Sequence, residues 1–84
     1  MDDVRLKRIR HRAWRRGFKE ADLVLGPFAD AACLKMTSSQ LDVFEDLLEE
    51  PDPDVYAWVL GRRAAPARFE ADILPMIRAF HDLG

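Results

Sequence analysis

Apolar residues recur along this chain at spacings of three and four and nowhere alternate, the periodicity of amphipathic helices and not of strands. Leu6, Ile9 and Ala13 fall on the inner face of a first helix predicted over 3–14. Phe18, Ala21, Leu25, Phe28 and Ala32 repeat at the same spacing and predict a second over 17–34. Within it, Gly26-Pro27 either kinks the helix or begins a new one, because proline carries no backbone donor. Thr37-Ser38-Ser39-Gln40 reads as a capping box that opens a third helix over 38–50, burying Leu41, Phe44, Leu47 and Leu48. The rest of that helix is acidic, with Glu45, Asp46, Glu49 and Glu50. Acids in a last turn oppose the helix dipole, so this end either frays or meets a basic neighbour.

Pro51-Asp52-Pro53-Asp54 stops one helix and starts another. Asp52 suits an N-cap and Pro53 the first position of a short fourth helix over 53–60, with Val55, Trp58 and Val59 inward and Gly61 ending it. A fifth helix is predicted over 66–83 with the stripe Phe69, Ile73, Met76, Ile77 and Phe80; Pro75, inside it, bends or splits it. Five helices with short connections predict an all-α bundle, one domain over residues 1–84. That length is near the lower limit at which a single core suffices.

Composition keeps this picture globular: 49% of residues are hydrophobic and 33% charged. No apolar run approaches the roughly 20 residues that cross a bilayer, so no membrane insertion is expected. The start of the chain has no hydrophobic signal core, and Asp2 and Asp3 argue against a transit peptide, so the chain is expected to work where it is made. Cys33 is the sole cysteine; it excludes an internal disulfide and reads as a buried thiol in a reducing compartment.

Charge alters the picture more. Residues 1–19 carry Arg5, Lys7, Arg8, Arg10, Arg12, Arg15, Arg16 and Lys19 against Asp2 and Asp3, a net +6; five basic and thirteen acidic groups leave residues 20–84 at −8. Such polarity implies either an oriented encounter with a charged partner or attraction between helices. Arg5, Arg8, Arg12 and Arg15 form a cationic stripe, open to three readings: a solvated face paired with the acidic third helix, steering toward a protein, or contact with nucleic acid. The acidic pI of about 5.6 speaks against a dedicated nucleic-acid binder, and none is expected as partner.

Catalytic equipment is missing. His11 and His81 stand at opposite ends of the chain, His11 among arginines on a helix expected to be exposed and His81 near a helix C-terminus, where a partly positive imidazole is favourable anyway. One cysteine and two distant histidines give no metal-ligand spacing. Gly17 and Gly26 follow no strand and so form no phosphate loop. The chain is therefore expected to have no catalytic residue and no metal.

Arg16-Gly17-Phe18-Lys19-Glu20 stands out instead. A glycine between predicted helices either ends the first or leaves a floor on which a partner lands. Arg16 and Glu20 can sit one helical turn apart, side by side on the same surface. Trp14, directly before this corner, either anchors it or faces a partner. Trp58, Tyr56 and Phe44 read as core.

Arg15-Arg16-Gly17-Phe18-Lys19-Glu20, Asp22 and Leu25-Gly26-Pro27-Phe28 together resemble the assembly factors that promote flavinylation of succinate dehydrogenase. The resemblance resumes at Leu47-Leu48-Glu49-Glu50-Pro51-Asp52-Pro53-Asp54 and Tyr56-x-Trp58-x-x-Gly61, and covers roughly residues 5–62. It implies a five-helix bundle that is not an enzyme. It implies binding to the flavoprotein subunit of succinate dehydrogenase, and in bacteria that of fumarate reductase, where the factor favours covalent attachment of FAD to a histidine. FAD then belongs to the partner, and no cofactor is expected on this chain. The family's Arg-Gly-x-x-Glu carries over to Arg16, Gly17 and Glu20, with Arg15, Trp14, Lys19 and Arg12 expected at the periphery. Mitochondrial members carry a presequence; its absence here implies a bacterial, cytoplasmic chain, expected to be monomeric when free. The competing readings are a nucleic-acid-binding regulator using the first helix, and a generic adaptor or antitoxin-like module.

Overall fold

The computed structural model describes residues 3–14 and 17–83. It is all-α, with α1 Asp3–Trp14, α2 Lys19–Ala32, α3 Ser38–Leu48, α4 Asp52–Val59, α5 Ala67–Glu70 and α6 Ile73–Phe80, and a 3-10 turn at Cys33–Lys35. The second helix is the hub: α1, α4 and α6 all pack against it. Its inner face buries Ala21, Leu25, Gly26, Phe28 and Ala29. Phe28 stands edge-on to Phe44 of α3 at 5.5 Å and to Phe80 of α6 at 5.9 Å, so one ring joins three helices. Ile9 and Ala13 are fully buried from α1, and Leu47, Val59, Ile73, Leu74 and Ile77 complete the core.

Pro27 neither ends α2 nor restarts it. The carbonyl left without its helical donor is that of Leu23, a residue 53% exposed, where water can serve it. Pro75 has the larger effect. Where one helix over 66–83 was expected, the chain breaks at Ala71-Asp72 and α6 begins at Ile73. The ring of Pro75 would strike the carbonyl of Ala71 four residues earlier in a continuous helix. In the first turn of α6 its missing donor is no loss. Phe80 and Met76, expected in the stripe, are exposed and half-buried.

Thr37 and Gln40 form both halves of the capping box. The same Gln40 amide donates through Nε2 to Asp72 Oδ2 at 2.9 Å, tying the start of α3 to the start of α6. The fourth helix begins one residue earlier than Pro53, so Pro51 takes the cap position expected of Asp52. It ends at Gly61, whose φ of +74° is the left-handed closure of a Schellman motif: Gly61 N–H donates to Trp58 and Arg62 N–H to Ala57. Arg78 holds this end from outside, donating to the carbonyls of Trp58 and Val59 and bidentately to Glu70. That hydrogen-bonded pair lowers the pKa of the Glu70 carboxyl below its ordinary value.

The acidic face of α3 meets basic neighbours. Arg5 donates to Asp42 and Glu45, Arg12 pairs with Glu49, and Arg68 of α5 pairs with Asp46. Part of the charge asymmetry is thus met inside the molecule, where Arg5 and Arg12 of α1 pair with carboxylates of α3 and its C-cap. Cys33 is buried, and desolvation pushes its thiol up to about 11. No described helix is long and apolar enough to cross a membrane.

Candidate functional site

The corner between α1 and α2 is built by two aromatic anchors on either side of a glycine. Trp14 is the last residue of α1. Its indole lies on Gly26 of α2, and Nε1–H donates to Asp30 Oδ2 at 3.0 Å. Asp30 also accepts from Arg10 Nε at 3.1 Å. A Cβ on Gly26 would sink into the ring, well inside van der Waals contact of Cδ2, Cε2 and Cε3. Only glycine lets α1 and α2 approach this closely here. Trp14 therefore anchors the corner, while 39% of it stays exposed.

On the other side, Phe18 is extended (φ −120°, ψ 105°) and precedes α2 as its N-cap, with no side-chain cap. Its carbonyl accepts from Asp22 N–H at 3.0 Å, closing the first helical bond. Its ring meets Tyr56 of α4 edge-on, at 5.7 Å and 88°. Tyr56 is consequently half-buried at the surface instead of in the core. Across the open side of Trp14, Lys7, Arg10, His11 and Asp30 line a shallow groove of about 590 Å³.

Gly17 sits between these anchors, exposed, at φ +83°. Nothing lies within 4 Å of where its Cβ would stand. The glycine thus serves a left-handed turn and leaves open space outside it. Gly17 and Phe18 lie outside any helix, and the one-turn spacing expected between Arg16 and Glu20 involves a residue outside the described ones. Arg15 and Arg16, expected at this site, lie outside the described residues. Lys19 and Glu20 are exposed in the first turn of α2, where Glu20 complements the helix dipole; Glu20 has no ion-pair partner among the described residues. Arg12, expected at the periphery, turns its guanidinium to Glu49.

Little else here resembles machinery. Among the described residues no group of three His, Cys, Asp or Glu side chains could hold a metal. His11 is exposed, and His81 donates through Nε2 to the Val24 carbonyl at 2.6 Å, a structural tie between α6 and α2. Two residues escaped the sequence reading: Gly26, whose partner is set by how two helices cross, and Tyr56, whose aromatic character suggested burial. The position of Phe18 directly after Gly17 was the one sequence signal that could have pointed to a ring partner there.

Residues 7–81 match the family model described as "Flavinator of succinate dehydrogenase" (Sdh5). The chain is 38% identical over 72 residues to "Succinate dehydrogenase assembly factor 2, mitochondrial" of Dictyostelium discoideum, covering 86% of this chain and 51% of that protein. It is 38% identical over 75 residues to "FAD assembly factor SdhE" of Acetobacter pasteurianus, covering 89% and 66%. The protein of the same description in Legionella pneumophila is 39% identical over 64 residues, covering 76% and 80%. The chain thus spans about half the length of the first relative and just under two thirds of the second. No solved structure matches it.

Proposed function

This chain belongs to the family of flavinators of succinate dehydrogenase, and from that premise we propose that it is an assembly factor for a flavoprotein. It binds the flavoprotein subunit of succinate dehydrogenase and promotes covalent attachment of FAD there. The observation that carries this reading is the family match over residues 7–81; the open Gly17 corner suggests where contact falls.

The chain acts as a binding partner and not as the catalyst. The flavin belongs to the partner in this reading, which the family description supports. An assembly factor that binds best to the arrangement in which histidine and flavin are in reactive geometry shifts the flavoprotein toward it. Gly17 admits close backbone approach, Glu20 answers a basic group, and Arg16 with Arg15, Lys19 and Trp14 completes the docking surface. Arg12 stands at its edge, engaged with Glu49.

The nucleic-acid alternative loses support, since Arg5 and Arg12 of the cationic stripe are already engaged by carboxylates of α3 and its C-cap Glu49. We extend the partner range to fumarate reductase, place the work in a bacterial cytoplasm, and take the free chain as a monomer. The test combines the purified flavoprotein subunit and FAD with and without this chain, and reads covalent flavin by fluorescence in a denaturing gel. Stimulated attachment is expected; equal fluorescence in both lanes overturns the proposal.

A further inference from the structure

Beside the Gly17 corner, a second set of groups belongs to no part of the reading so far. The Tyr56 ring meets Phe18 edge-on. The Arg62 guanidinium also lies over this ring, at 5.9 Å from its centre. Arg62 is exposed and, among the described residues, pairs with no carboxylate. Its neighbour Arg63 is in contrast bound to Asp54 at 2.6 Å. The Tyr56 hydroxyl also has no hydrogen-bond partner among the described residues, and no buried polar side-chain atom is left unsatisfied, so it opens to solvent.

The backbone fixes this arrangement. Arg62 N–H closes the Schellman motif onto Ala57, and Gly61 at φ +74° turns the chain so that residue 62 comes back over the helix that carries residue 56. A guanidinium over an aromatic face is held without being neutralised. Its side-chain entropy is partly spent before any partner arrives, which favours binding. Tyrosine and arginine in such a pairing are the residue types that concentrate binding energy at interfaces.

We propose that Tyr56 and Arg62 form a second half of the docking surface, continuous with Gly17 through Phe18, and that Arg62 receives a carboxylate from an acidic segment of the flavoprotein. The inference rests on the flavoprotein reading above. Charge decides the occupant: the exposed guanidinium here is held over the Tyr56 ring and pairs with no carboxylate among the described residues. Tyr56 acts as a positioning residue, holding both Phe18 and Arg62.

The test measures affinity of the intact chain for the purified flavoprotein subunit at low and at high salt, with helical content checked by circular dichroism. Arg62→Glu should weaken binding about tenfold or more, mostly at low salt, and Arg62→Ala about threefold. Arg62→Lys should restore most of the affinity. Lys35→Glu reverses a charge beyond the far end of α2 and should change nothing. Tyr56→Leu should lose as much as Arg62→Ala, and Tyr56→Phe should keep the ring's share. A wild-type chain that does not bind overturns the flavoprotein reading itself. Binding by wild type with equal affinity in Arg62→Glu, or equal loss in Lys35→Glu, overturns this inference alone.

Discussion

Gly17 and Gly26 are nine residues apart and glycine for opposite reasons. At Gly17 the backbone demands it, with φ at +83° and empty space where a side chain would go. At Gly26 the backbone is ordinary helix and the space is full, taken by the Trp14 indole. One is a requirement of torsion, the other of volume. A glycine open to solvent is available to another molecule; a glycine filled by its own chain is already used. The corner is therefore a rigid mount with a bare tip.

The largest effect on stability is expected at the filled site. Gly26→Val must drive Trp14 from its seat and from Asp30, and should cost about 2 kcal/mol, lowering the melting point by about 10 °C. In a double-mutant cycle with Trp14→Ala most of that cost should vanish, a coupling of about 1 kcal/mol or more. Additive losses would mean the two residues do not share the space.

Gly17→Arg should cost only about 1 kcal/mol, the strain of an L-residue at that torsion, yet abolish stimulation of flavin attachment. Cys33 separates the two cases in one measurement. Its thiol, buried and pushed up to about 11, should resist alkylation at neutral pH in the wild type. Gly26→Val should speed labelling by more than tenfold, and Gly17→Arg by severalfold at most. Equal acceleration would return Gly17 to a purely structural part.

The smallest effect is at Glu20, exposed and without an ion-pair partner among the described residues. Glu20→Ala should change stability by under about 0.5 kcal/mol and weaken docking a few-fold. A melting point lowered by as much as in Gly26→Val would place Glu20 in the framework.

The sequence periodicity made the all-α class legible, and burial of Leu6, Ile9, Ala13, Leu25 and Phe28 follows it directly. The capping box of Thr37 and Gln40 was equally readable, because both halves lie within one turn. What escaped depends on how helices cross. Nothing local to Gly26 says that Trp14 will lie on it. Nothing local to Tyr56 says that a ring from residue 18 will hold it at the surface. Pro75 was seen, but whether it bent or split its helix turned on where the next helix could start. At the site itself, the oddity of Gly17 was plain from sequence, while its left-handed torsion came only from the fold.

That torsion has a consequence in chirality. A mirror-image alanine in place of Gly17 would accept φ +83° without strain and stiffen the unfolded chain, so a chemically synthesised variant should melt no lower than the natural one. It would keep the turn and put a methyl group on the tip. Such a chain separates handedness from bareness, asking whether the partner needs the bend or the absence of any side chain on it.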